Sequence, residues 1–295
     1  MRKHAYLIIA HNNFKILEKL IFLLDDSRND LYIHIDNKVK AFDFEYFEKL
    51  TKKSGIKIYR NINVFWGGTS QIDVELFLLK KAVPGKYDYY HLLSGVDLPL
   101  KSQDYIHNFF EENTGKEFID FDEKFEQYII EKRVKYYHIF IGGYRSTNLI
   151  YRYFVKGINK IGFKLQNILG VNKLIPGYVY KKGSQWFSIT HNLALYILDQ
   201  KEFIEKNYKY SFCADEIFVQ SIVYNSNFLK KVYRNIENHN LAMRYIDWEN
   251  GNPYIFKSND FYRLLTTKAL FARKFDCEYM DIVKLIIRHI NKDTE

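Results

Sequence analysis

From the start of the chain to about Asp122, short apolar runs alternate with segments whose apolar positions recur at helical spacing. HAYLIIA reads as a buried strand, followed by an amphipathic helix from about Asn13 to Leu24. LYIHID predicts a second strand, a helix rich in Phe, Glu and Lys follows between about Phe42 and Lys53, and IKIYR predicts a third strand. After the Gly67-Gly68 turn, Ser70 is a plausible N-cap for the helix QIDVELFLLKKAV. YDYYHLL predicts a fourth strand, Ser102 can cap a helix to about Glu111, and EFIDF predicts a fifth strand. Strands separated by helices of roughly 10–15 residues build βαβ units around a mostly parallel, buried sheet, which makes the fold α/β.

The middle of the chain is less regular. NLIYRYFVKGINKIGFKLQNIL, from Asn148 to Leu169, mixes apolar and basic positions at near-helical spacing. It reads first as an amphipathic helix packed on the sheet; the second reading is a surface that touches a membrane or an anionic lipid-linked substrate. From Gly183 the pattern becomes mixed, with a WFSIT strand, helices from about Asn192 and from Ala214, a LAMRYIDW strand and a final helix after Asp276. No linker, repeat or low-complexity stretch intervenes. The chain is expected to form one body over residues 1–295, with halves at about 1–122 and 123–295.

Composition narrows the class. Of 295 residues, 47% are apolar and 27% charged, a soluble globular balance. No apolar run approaches the ~18 residues of a membrane span. The opening MRKHAYLIIAHNN is apolar for too short a stretch to be a secretory signal, whose core needs roughly 7–15 residues. Cys213 and Cys277 are too few for a disulfide framework or a structural zinc site, which makes the cytoplasm the default location. The net charge of +9 favours phosphates, nucleotides or anionic lipid headgroups as partners. No nucleic-acid reading module accompanies it, so nucleic acid is not expected as a partner.

In open α/β sheets, ligands bind beyond the carboxyl ends of the strands. The four strands here are followed by Ala10-His11-Asn12, Asp36-Asn37-Lys38, Val64-Phe65-Trp66-Gly67-Gly68 and Ser94-Gly95-Val96-Asp97-Leu98-Pro99. Polar, aromatic and glycine residues at all four ends suggest a nucleotide-binding rim, with His11, Asp36, Trp66, Gly67 and Asp97 as candidates. The chain carries neither a GxxxxGKS/T loop nor a GxGxxG after its first strand, which argues against a P-loop and a dinucleotide fold. Asp120-Phe121-Asp122 matches the Asp-x-Asp string with which many sugar-nucleotide enzymes hold a metal. Roughly one such match is expected by chance, and a solvated strand end is the first reading.

Without a metal, side chains must neutralise a diphosphate. FARKFD offers Arg273 and Lys274 among phenylalanines, where a sheltered cation stabilises a leaving diphosphate far more than it would in water. The alternative is an internal salt bridge to Asp276 or Asp247. A second signal is Ala214-Asp215-Glu216, two carboxylates opening a helix. Adjacent helical residues diverge by about 100°, so this pair cannot straddle a sugar as glycosidase carboxylates do. One general base, Glu216, with Asp215 as its orienting partner, fits better. Trp66, Trp186 and Trp248 each lie beside glycine or polar residues and read either as platforms for sugar rings or as packing under loops.

Together the motifs AYLIIAHNN, IHIDNK, VFWGGTS, HLLSGVDLPL, GSQWFSIT, ADEIFVQS, RYIDW and FARKFD, in that order from about Ala5 to Asp276, resemble glycosyltransferase family 14. This is the family of core-2/I-branching β-1,6-N-acetylglucosaminyltransferases and peptide O-xylosyltransferases. The resemblance implies a GT-A type fold, a Rossmann-like nucleotide-binding half fused to a mixed α/β acceptor half. It implies inverting transfer from a UDP-sugar to a hydroxyl of a glycan or lipid-linked saccharide, with no metal or other cofactor. By position, Glu216 matches the general base and Lys274 the lysine on the leaving diphosphate. His11 and Asp36 match residues around the uridine, Trp248 an aromatic near the sugars, and Trp186 part of the cleft lining. The animal enzymes pair the lysine with an arginine earlier in the chain, where this sequence reads Gly251-Asn252-Pro253-Tyr254; Arg273 or Arg244 is expected to supply that charge. N-acetylglucosamine is the favoured donor sugar, ahead of xylose, galactose and glucose. No membrane anchor, stem or disulfide framework like those of the animal members is expected. This suggests a bacterial-type, cytoplasmic member acting in surface polysaccharide synthesis, with peripheral membrane contact as a further expectation.

Overall fold

The computed structural model describes residues 3–144, 148–234 and 241–292. Its main sheet contains β1 (His4–Ala10), β2 (Asn29–Ile35), β3 (Gly55–Tyr59) and β4 (Tyr89–Ser94), followed at one edge by the later β6 (Ser188–Thr190). The order is β3-β2-β1-β4-β6, parallel throughout except for β6, which runs antiparallel to β4. A second sheet, in the order β5-β8-β7, joins β5 (Leu98–Pro99), β8 (Phe271–Arg273) and β7 (Arg244–Ile246). The helices are α1 (Phe14–Leu24), α2 (Phe44–Glu48), α3 (Ser70–Ala82), α4 (Gln103–Glu112), α5 (Gln127–Lys135), α6 (Leu149–Ile168), α7 (His191–Asp199), α8 (Lys201–Tyr208), α9 (Phe218–Tyr224), α10 (Phe261–Thr266) and α11 (Met280–Lys292).

The continuous apolar run of β1 follows from burial on both faces. Ala5 and Leu7 pack into a core with Val74 and Leu78 of α3 and Leu193 of α7. Tyr6, Ile8 and Ala10 pack on the other side with Leu17 and Leu20 of α1 and Ile286 of α11.

Three local expectations differ from the structure. EFIDF forms no strand: Glu117 and Phe118 make isolated bridges to Val232 and Ser188, because β6 already occupies the edge position beside β4. The predicted helix from Phe42 to Lys53 shortens to α2. Ser70 is the first residue of α3 and not its cap; its hydroxyl accepts from the Phe65 N–H at 2.8 Å and closes the preceding turn. Ser102 does cap α4, accepting from the Tyr105 N–H.

Arg244, a candidate for acceptor binding, is instead a buried brace between the sheets. One terminal nitrogen of its guanidinium donates to Ser188 Oγ at 2.7 Å, and the other donates to the carbonyls of Phe187 at 2.7 Å and Leu92 at 3.4 Å. Its guanidinium also lies 4.8 Å from the Phe271 ring centroid of β8. Arg244→Ala would strand several buried acceptors, and we expect a loss of about 3 kcal/mol or more of stability, read from the urea midpoint. A loss below about 1 kcal/mol would contradict the bracing role.

Candidate functional site

The chain builds β1, β2 and β3 outward in one direction, then returns to lay β4 on the other side of β1. The reversal makes β1 and β4 the topological switch point, and strands of this order place ligands beyond the carboxyl ends of that pair. His11 sits at that edge, exposed; the surrounding protein and the Arg273, Lys274 and Lys38 cations lower its pKa, against the opposing Asp36. The buried Asp36 closes the turn after β2, accepting from the backbone of Lys38 at 3.0 Å and Val64 at 3.3 Å and pairing with Lys38 Nζ at 3.3 Å. Trp66 is 41% exposed, its ring edge-on to Phe212. Gly67 adopts a φ of 75°, and a side chain there would come within 2.9 Å of the Phe212 ring. Its carbonyl accepts from Cys213, two residues before Asp215, which ties the rim to the carboxylate segment.

Asp97 does not belong to the rim's open surface. It is 1% exposed, and its carboxylate accepts from the Ser94 backbone at 2.8 Å, the Ser94 hydroxyl and Arg273 at 2.9 Å. Arg273 also bonds Ser94 Oγ and lies 4.7 Å over the ring of Trp186. Its charge is therefore compensated internally, by Asp97 and not by the Asp276 or Asp247 anticipated from sequence. Trp186, 8% exposed, is the platform for that guanidinium and not a free surface for a sugar.

Lys274 differs from its neighbour. It is half-buried, follows β8 directly, and among the described residues its ammonium makes no hydrogen bond or ion pair. Asp276 accepts from Asn13 at 2.8 Å and lies close enough to Lys274 to feel its charge without an ion pair, and Asp247 is paired with Arg263 at 2.7 Å. Of the two cations in FARKFD, the structure leaves Lys274 as the one available to an anion.

Asp215 and Glu216 do not open an α-helix. They lie in a single 3-10 turn, Ala214–Glu216, after Cys213 in a left-handed conformation and before the break at Ile217 that precedes α9. Glu216 Oε2 accepts from Arg133 of α5 at 2.9 Å and lies 3.6 Å from Lys182 Nζ. Oε1 accepts no hydrogen bond among the described residues, and the side chain is 34% exposed. One oxygen is thus pinned while the other is open. Arg133, flanked by the rings of Phe125 and Phe212, holds the Glu216 carboxylate in the place where sequence reasoning expected Asp215 to do so.

Asp215 turns inward. Its Oδ2 accepts from Gln71 of α3 at 2.7 Å, and its Oδ1 is buried with no hydrogen-bond partner among the described residues. Burial, reinforced by the Glu216 charge, pushes its pKa from 3.8 up to about 7. Burial also raises Glu75, which accepts from Gln185 at 2.8 Å, with the Asp215 charge adding to the shift. Between about pH 4 and 7 the folded chain therefore holds a proton that the unfolded chain has lost, and stability falls as pH rises through this window. Asp215→Asn is expected to flatten thermal midpoint against pH across that window and to be the more stable form at pH 8. An unchanged slope would contradict the shift.

The loop after Lys182 joins these groups. The Gly183 N–H donates to the Glu216 carbonyl at 2.9 Å, and a Cβ on Gly183 would fall 1.8 Å from the Asp120 carbonyl oxygen, so only glycine passes there. Further along the loop, Trp186 carries Arg273, the neighbour of Lys274. Asp122 lies 3.5 Å from Lys182 Nζ as a second anion on that lysine, and burial raises Asp120 to about 6, with the Asp122 charge adding to it. Among the described residues no three His, Cys, Asp or Glu side chains converge as a metal site. Trp248, 60% exposed, projects from a loop organised by Asp247, which accepts from the backbone of Glu249 and Asn250. Sequence reasoning missed Arg133, Lys182, Gln71 and Glu75. A basic or polar residue on a predicted helix carries no mark of the carboxylate it will meet far along the chain.

A family model described as Core-2/I-Branching enzyme matches residues 4–268, and the chain belongs to that family, glycosyltransferase family 14, with its α/β fold of GT-A type. Xylosyltransferase 2 of the dog, Canis lupus familiaris, is 22% identical over 297 aligned positions, covering 92% of this chain and 32% of that protein. Xylosyltransferase oxt of Drosophila pseudoobscura is 23% identical, covering 83% of this chain and 28% of that protein. The chain thus spans about a third of the length of these curated relatives. Among solved structures, apo mouse xyloside xylosyltransferase 1 superposes with a TM-score of 0.39 at 9% identity, covering 94% of this chain and 99% of that one, too distant to carry an argument.

Proposed function

We propose that this chain transfers a sugar from a UDP-sugar to a hydroxyl of a glycan or lipid-linked saccharide, in one inverting displacement that needs no metal ion. The observation that carries the reading is the divided carboxylate of Glu216, with Oε2 held by Arg133 and Oε1 open. In the proposed step an acceptor hydroxyl donates its proton to Oε1 as its oxygen bonds to the anomeric carbon. The bond from that carbon to the diphosphate breaks on the opposite face, and the leaving group carries the electron pair away. Lys274 meets the charge that develops there, the role a preorganised cation fills when it stabilises a transition state more than a ground state. His11, Asp36, Trp66 and Gly67 line the nucleotide end, and Trp248 offers an exposed face to a sugar. Arg244 and Arg273, both internally bonded, are left out of the diphosphate contacts, so Lys274 acts there without a paired arginine.

The relatives' names shift the donor. Sequence reasoning favoured N-acetylglucosamine, whereas the dog and fly relatives are named xylosyltransferases, so UDP-xylose is the first donor to test. The test is UDP release from UDP-xylose, UDP-N-acetylglucosamine, UDP-galactose and UDP-glucose with saccharide acceptors, in EDTA and in Mn²⁺. Equal turnover in both is expected. Activity lost in EDTA and restored by Mn²⁺ would move the diphosphate site to Asp120 and Asp122. Binding of UDP-sugars without turnover on any acceptor would make the protein a sensor.

A further inference from the structure

We propose that the outward face of α6, with the adjoining Ile139 and Phe140, docks on the surface of an anionic lipid bilayer. The helix is amphipathic in the opposite sense to one packed on a sheet. Only Val155 and Asn159 are fully buried among its residues. Ile150, Phe154, Ile161, Leu165 and Ile168, spaced to form one stripe on a helix, all face outward, with Ile150 83% and Ile168 79% exposed. Lys156, Lys160 and Lys164 form a parallel row at four-residue spacing, roughly a quarter turn away. Tyr137 and Gln166 exchange two hydrogen bonds, 2.8 and 3.0 Å, which hold the segment bearing the exposed Ile139 and Phe140 against the end of the helix.

Charge identifies the occupant. Between residues 132 and 198 the sequence has eleven Lys or Arg and no Asp or Glu, so this segment accounts for the whole +9 excess of the chain. A second copy laid on the same face would set the row of Lys156, Lys160 and Lys164 against its own counterpart. A nucleic acid would satisfy the lysines and leave the apolar stripe in water. An anionic bilayer meets both rows, the stripe entering the headgroup boundary and the lysines meeting lipid phosphates, as in helices that lie in the interface plane. No helix of the described residues is long and apolar enough to cross a membrane. The docking does not depend on the proposed transfer reaction.

The test is co-sedimentation of the full chain with vesicles of phosphatidylglycerol mixed with phosphatidylcholine and with vesicles of phosphatidylcholine alone. Pelleting with the anionic vesicles, weakened by salt and small on the neutral ones, is expected. K156Q/K160Q/K164Q should reduce partitioning on the order of a hundredfold, at about fivefold per cation removed. F154S/I161S/L165S, with charge unchanged, should reduce it at least tenfold. Both variants should keep the parent circular dichroism spectrum. Should the serine variant not fold, Ile161→Trp supplies the same information, with an added blue shift in emission on anionic vesicles expected relative to the parent. Three results overturn the proposal: a parent that stays in the supernatant with anionic vesicles, variants that bind as the parent does, or a stripe variant that changes a dimer to a monomer while vesicle binding is untouched.

Discussion

Glu216→Gln is expected to lower kcat by about 10²–10⁴ while UDP binding stays near the parent value. The amide has the shape of the carboxylate and can still accept from Arg133, so the turn Ala214–Glu216 and the loop bonded to it should persist. It cannot take a proton from an incoming hydroxyl, and that is the function assigned to Oε1. The proposed nucleotide contacts lie at the ends of β1, β2 and β3, on other segments, so donor affinity is the internal control. Steady-state kinetics with isothermal titration of UDP separates the two. Turnover within a few-fold of the parent would remove Glu216 from the reaction.

Lys274→Ala should cost about 10²–10³ in kcat/KM, the range for removing one preorganised group from a developing negative charge. The loss is expected in both UDP affinity and kcat, because in the proposed mechanism the ammonium meets the diphosphate before and during bond cleavage. Lys274→Arg should restore only part of it, since a planar fork on a longer stem places its charge differently from a compact ammonium. Arg273→Ala provides the contrast: its charge is already matched by Asp97, so its main consequence is loss of the brace between β8, the β4 turn and Trp186. A Lys274→Ala enzyme within tenfold of the parent would show that the leaving group is met elsewhere.

Much of the framework was legible because it rests on local periodicity. The strands β1, β2, β3 and β4 and the helices between them follow from alternating buried runs and helical spacing, and the observed parallel sheet has that order of elements. The failures share one cause. EFIDF has the composition of a strand, yet a segment some seventy residues later occupies the edge position it would need. Asp97, Trp186 and Arg244 carried the residue types of a ligand site, yet each spends its polar or aromatic surface on another part of the chain. Conversely, nothing in QYIIEKRVK singles out Arg133, which meets a carboxylate 83 positions away.

By itself the sequence determined the order of strands and helices in the βαβ framework and singled out two charged segments, ADE and FARKFD. The tertiary structure decided which charges within those segments are free. Among the described residues it left Lys274 without an ion pair beside a neutralised Arg273, and it pinned one oxygen of Glu216 while turning Asp215 into the core. The physical reason is range: hydrophobic periodicity is set by neighbours a few residues apart, whereas the state of a charge is set by whichever distant side chains folding brings within a few ångströms of it.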